Sequence, residues 1–147
     1  MYVGIVINRS LADTTDSVTG LGDVHALVNA IGEMRRVARE AGFIAIKVDD
    51  IAEVNARFGF DAGDRVLAES AACLMECSRG KGRLFRSTGP TFVALFDDFD
   101  PEETDAIADE IERFLGSPVL FGSFEYQPPL RVATLHLDAV DRQPVSI

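Results

Sequence analysis

The chain has 147 residues, 47% hydrophobic and 26% charged, which suits one soluble domain with a real core. Its 14 basic and 24 acidic residues give a net charge of -10, which disfavours general binding to nucleic acid or to an anionic membrane. No apolar run is long enough to cross a bilayer, and the start MYVGIVINRS has no basic n-region, so no signal peptide and a cytoplasmic location are expected.

YVGIVI (2–7) reads as a strand, and the polar residues 8–22 as a loop. Asp23 suits a helix N-cap. Val24, Leu27, Val28, Ile31, Met34, Ala38 and Ala41 follow at helical spacing, with Gly42 as the C-terminal stop. FIAIKVD (43–49) is a strand with two unlike faces: Ile44, Ile46 and Val48 on one, Phe43, Ala45, Lys47 and Asp49 on the other. Ile51, Val54 and Phe58 mark a short helix. A longer one follows to about Ser78, with Val66, Leu67, Ala71, Leu74 and Met75 inward. It carries both cysteines, Cys73 and Cys77, which read as buried reduced thiols.

RGKG (79–82) ends that helix. RLFRS and TFVALF flank Thr88-Gly89-Pro90, a hairpin signal. Asp100-Pro101-Glu102-Glu103 starts a helix whose buried stripe is Ile107, Ala108, Ile111, Phe114 and Leu115. Residues 118–126 and 130–137 read as two more strands around Gln127-Pro128-Pro129. The order is α+β, with helices covering a mostly antiparallel sheet.

Three stretches carry a resemblance. DSVTGLGDVHAL (16–27) is similar to D-x-L-T-G-L-x-N-R-x-x-L. VDDIAEVNARFGFDAGDRVL (48–67) is similar to D-x-D-x-F-K-x-x-N-D-x-x-G-H-x-x-G-D-x-x-L, entered at its second position. FRSTGPTFVAL (85–95) occupies the slot of R-x-G-G-D-E-F. The chain thus resembles the GGDEF domain of diguanylate cyclases, which condense two GTP into cyclic di-GMP on a palm-like fold related to the nucleotidyl cyclases. The resemblance covers about Asp16 to Ala139 of a single domain spanning 1–147. Residues 1–15 are an extra strand and loop, and the family's last helix is expected to be missing.

The resemblance implies that Asn55 and Asp64 read guanine. It places Asp49 on the family's second strand Asp, and Lys47 where the first, a metal ligand, belongs. The signature falls on Thr88, Gly89, Pro90, Thr91 and Phe92, so its acidic pair becomes Pro90 and Thr91. Its inhibitory R-x-x-D falls on Arg79-Gly80-Lys81-Gly82, which keeps the Arg as a remnant and lacks the Asp. Phosphodiester formation from GTP needs divalent metal, and such hard cations want carboxylate oxygens.

The expected function is therefore a catalytically inactive regulatory or protein-interaction module in bacterial cyclic di-GMP signalling. It retains GTP or GDP binding through Asn55 and Asp64, and Lys47 either holds a phosphate or pairs with Asp49. No cofactor is expected. Partners would be a neighbouring signalling domain, another protein or a second copy, with no nucleic acid and no membrane insertion. Two alternatives stand. One is a divergent active cyclase using Mg²⁺, with Asp49, Asp50 and Asp97 or Asp98 as replacement ligands. The other is a ligand-free dimerisation or docking domain. Lys81, Arg83 and Arg86, with Arg79, form a basic cluster that binds a phosphate or simply lines a solvated turn.

Overall fold

The computed structural model describes residues 14–37, 40–78, 80–115 and 118–137. The expected strand at 2–7, Arg79 and everything after Leu137 lie outside the described residues. The elements are α1 (Val24–Val37), β1 (Ala41–Val48), α2 (Ile51–Phe58), α3 (Ala62–Ser78), β2 (Arg83–Arg86), β3 (Thr91–Asp97), α4 (Pro101–Leu115), β4 (Val119–Phe121), β5 (Phe124–Tyr126) and β6 (Leu130–Leu137).

β1 is where the core is organised. Its alternation buries Ile44, Ile46 and Val48 completely on one face. Around them pack Val54 of α2, Val66, Leu67, Ala71 and Leu74 of α3, and Ile111 of α4, with Phe92, Ala94 and Phe96 of β3. On the opposite face α1 lays Leu27, Ala30 and Met34 against Ala41, Phe85 and Leu95. The order β2-β3-β1-β6 is antiparallel throughout, so β1 has a partner on each side. The outcome is the expected α+β architecture, a mostly antiparallel sheet with helices on it.

Helix starts follow local chemistry. Asp23 Oδ1 accepts the amides of His25 and Ala26, both at 3.0 Å, as an N-cap should. At α4, Glu103 N–H donates to Asp100 Oδ1 at 2.8 Å while Asp100 N–H donates to Glu103 Oε1 at 3.1 Å, a reciprocal capping box. These carboxylates are spent on backbone amides.

Four expectations are corrected. Gly42 is not a helix stop; it lies within β1, where a Cβ would strike the side chain of buried Thr104 on α4. Residues 118–126 are not one strand but a separate hairpin, β4 and β5, turning at Gly122 with φ 63°. Val28, Met75 and Phe114 are about half exposed or more, because the helices bury a narrower stripe than hydrophobicity suggests. Cys77 is buried, but Cys73 is only partly so, and burial followed by Glu76 and Glu69 pushes its thiol pKa up.

Gly42→Ala should destabilise the fold by about 1–3 kcal/mol through overpacking. Urea denaturation should show a smaller loss in a Thr104→Ala background, since the two side chains compete for one space.

Candidate nucleotide site

The site begins where β1 stops. Val48 N–H donates to Pro90 O at 3.0 Å and Asp49 N–H to Pro129 O at 2.9 Å, so loops on both sides grip the strand end. Asp50 then adopts a left-handed conformation (φ 64°, ψ 26°), which turns the chain directly into α2. Asp is among the residues that tolerate this region, at some cost in strain. The turn separates the two neighbouring carboxylates. Asp49 reaches Arg131, and the charge of Asp50 acts with Glu53 on Tyr126, whose pKa is raised by burial first and by these acids second.

The register places three polar residues in one row across the sheet. Lys47 of β1 lies opposite Thr91 of β3 and opposite Arg131 of β6. Arg131 Nε donates to Asp49 Oδ2 at 2.8 Å, and Lys47 Nζ lies 3.8 Å from Asp49 Oδ1. The expected pairing of Lys47 with Asp49 is present. Arg131 has no signal in the sequence, since nothing there fixes which residue of β6 stands beside Lys47.

The hairpin Thr88-Gly89-Pro90-Thr91 is closed by Ser87 N–H to Thr91 O at 2.8 Å and Thr91 N–H to Thr88 O at 3.1 Å. Phe92 is fully buried and anchors it. Arg86 holds the turn through Gly89 O at 2.9 Å and reaches back to Asp16 Oδ1 at 3.2 Å. Asp16 also accepts the amide and hydroxyl of Thr19, at 2.9 and 2.7 Å. Burial alone would raise the pKa of Asp16, but the bonds from Thr19 and Arg86 outweigh it and hold the carboxyl below its ordinary value. Arg83 is likewise matched, by Asp97 at 3.2 Å and Glu33 at 3.3 Å. Arg83 and Arg86 of the basic cluster are therefore committed to carboxylates.

On the other side, Asn55 Oδ1 accepts Gly63 N–H at 2.6 Å, tying α2 to the first turn of α3. Gly63 permits this: a Cβ there would meet Ile51 Cγ2 at 2.7 Å and Asn55 Oδ1 at 2.8 Å. Asp64 follows it, exposed in that first turn. With its oxygen engaged by Gly63, Asn55 has its amide N–H groups as the half suited to an acceptor on a ligand. Nearby, Phe58, Phe60, Arg65 and Phe121 line a shallow hollow of about 410 Å³. Phe58 stacks on Phe121 at 4.7 Å, which fastens the β4–β5 hairpin to α2.

Against known families, residues 13–117 match the model described as diguanylate cyclase, GGDEF domain. The chain belongs to the GGDEF family. Among curated relatives, diguanylate cyclase DgcS of Shewanella oneidensis is 29% identical over 84 residues, covering 54% of this chain and 28% of that protein. Cyclic di-GMP phosphodiesterase PdeR of Escherichia coli is 28% identical over 119 residues, covering 80% of this chain and 18% of that protein. The chain thus spans less than a third of either relative. Among solved structures, the FimX GGDEF domain of Pseudomonas aeruginosa superposes with a TM-score of 0.79 at 20% identity, over 86% of this chain and 81% of that one. Diguanylate cyclase SiaD from the same organism, solved with its activator SiaC, gives 0.80 at 20% identity, over 92% and 55%. At these identities the structural likeness shows the GGDEF fold.

In this GGDEF domain the donor set at the expected metal position does not fit a hard divalent cation. The row holds an ammonium, a hydroxyl and a guanidinium, and the carboxylate beside it, Asp49, already faces two cations. Mg²⁺ prefers oxygen ligands, several of them anionic. Asp97 is no substitute: it pairs with Ala41 at the far end of β1, about 20 Å along the strand from the Thr91–Lys47 pair.

Asp16→Asn should lower stability at pH 7 by about 1–3 kcal/mol, since it weakens charge-assisted bonds in a mostly buried position. Because the folded-state pKa is depressed, that contribution is complete above the ordinary carboxyl value and is lost as pH falls through the folded one. Denaturation profiles of the two proteins should converge on acidification.

Proposed function

We propose that this GGDEF domain serves cyclic di-GMP signalling as a non-catalytic module that binds a guanine nucleotide and regulates a neighbouring domain or partner protein. The observation that carries the reading is the state of Asp49. Arg131 holds it and Lys47 faces it, and the positions that the resemblance gives to metal-binding carboxylates carry the Lys47 ammonium and the Thr91 hydroxyl. Asn55 and Asp64 supply complementary halves of a guanine reader. The Asn amide donates to the purine's acceptors, and the exposed Asp carboxylate accepts from N1 and N2.

The relatives are in keeping with a regulatory role. One is named as a cyclase and another as a phosphodiesterase, so family membership leaves the reaction open. SiaD, a diguanylate cyclase solved in complex with its activator SiaC, is a precedent for regulation through a protein partner. No helix among the described residues is long and apolar enough to cross a membrane.

Incubation with GTP and Mg²⁺ or Mn²⁺, followed by separation of products, should yield no cyclic di-GMP. Product that disappears in Asp49→Ala would establish the cyclase alternative instead. Calorimetry should detect GTP or GDP binding that weakens by about tenfold in Asp64→Ala, the loss of one charge-assisted pair of bonds. An unchanged affinity in that variant would remove the guanine assignment.

A further inference from the structure

At the end of the sheet Lys47 and Arg131 share the carboxylate of Asp49, while the neighbouring Asp50, beyond the left-handed turn, acts on Tyr126. Lys47 and Arg131 are directly opposed on β1 and β6, where two like charges repel each other. Both turn to Asp49, whose side chain is only 17% exposed, while theirs are 50% and 74% exposed. One carboxylate offsets one cation, so the trio keeps a net positive charge within a chain of net charge -10. Arg83 and Arg86, by contrast, are matched by Asp97, Glu33 and Asp16. The cations are exposed and share a face with the Thr91 hydroxyl, a donor set that suits the oxygens of a second anion.

We infer that Lys47, Arg131 and Thr91 form a phosphate subsite that takes the phosphates of a nucleotide in their metal-free form, and that Mg²⁺ weakens binding there. This rests on the nucleotide reading above and reverses the usual role of the metal. Magnesium bound to a polyphosphate occupies its oxygens and cancels much of its charge. A site with carboxylates recovers that loss by ligating the ion. This one has a single carboxylate, already held at 2.8 Å by Arg131, and two cations that repel the bound Mg²⁺ and attract the partly neutralised phosphates less strongly.

Calorimetry on the intact chain with GTP, guanosine and inorganic pyrophosphate, each with EDTA and with excess Mg²⁺, tests the inference. GTP should bind several-fold more tightly in EDTA. Lys47→Ala and Arg131→Ala should each weaken metal-free GTP and pyrophosphate by about tenfold at low salt, with little effect on guanosine. Lys47→Asp, which removes one cation and adds a carboxylate, should invert the magnesium effect. Both positions are exposed, and an unchanged melting temperature would show that the variants fold.

Binding that tightens with Mg²⁺ in the wild-type chain would overturn the subsite while leaving the nucleotide reading intact. Guanosine binding as well as GTP would do the same. Pyrophosphate binding in EDTA that Arg131→Ala abolishes, with no guanosine binding, would support the subsite and remove the guanine reading. Failure of all three probes at millimolar concentration would overturn both.

Discussion

The backbone pairing of β1 is the constraint on which the rest depends. From Ala41 to Lys47 the strand is paired on both sides, and the amides of Val48 and of Asp49 just beyond it are taken by carbonyls of Pro90 and Pro129. A shift of one residue would move the whole apolar set to the wrong face. Ile44, Ile46 and Val48 are fully buried, so such a slip would expose three large side chains and bury Lys47. Each exposed side chain would cost about 1.5–3 kcal/mol, so the three together approach the marginal stability of a domain this size. The register is thereby fixed by the core, and the polar row at its end follows as a consequence.

The charged groups at that end contribute little to stability. Arg131 is 74% exposed, and a pair of that kind is worth at most about 1 kcal/mol. The contrast with Asp16 is instructive. Asp16 and Arg86 have side chains 19% and 17% exposed, and with Thr19 they join the turn at residues 16–19 to the hairpin. The first group arranges charge at the surface, and the second braces the frame that presents it. Arg86 bridges them, since the carbonyl of Gly89 that it holds belongs to the turn supplying Pro90 and Thr91.

Much of this was legible in the chain. The alternation of residues 43–49 gave both faces of β1, and Asp23 and Asp100 marked helix starts that their side-chain bonds explain. Patterns with a local cause were readable because the cause lies within a few residues. The departures have another origin. Phe114 and Met75 fit their helices' apolar periods, but the packing of the described elements leaves each about half exposed. Gly42 has a glycine's usual reading at a helix end, yet its use is to admit Thr104 from a helix far along the chain. The turn at Gly122 was hidden within a β-rich run because Phe121 and Phe124 are good strand residues on both sides of it.

The sequence by itself determined the α+β order, the family motifs, and the residue types Lys47, Pro90 and Thr91 at positions where the resemblance expects carboxylates. It also named Asn55 and Asp64. Only the tertiary structure decided that Arg131 stands beside Lys47, that Asp49 is held between them, and that Asn55 spends its oxygen on Gly63. The physical reason is that motif spacing encodes contacts along the chain. The partner of a strand residue on a neighbouring strand is set by the register of the whole sheet, and that register is chosen by burial of the core.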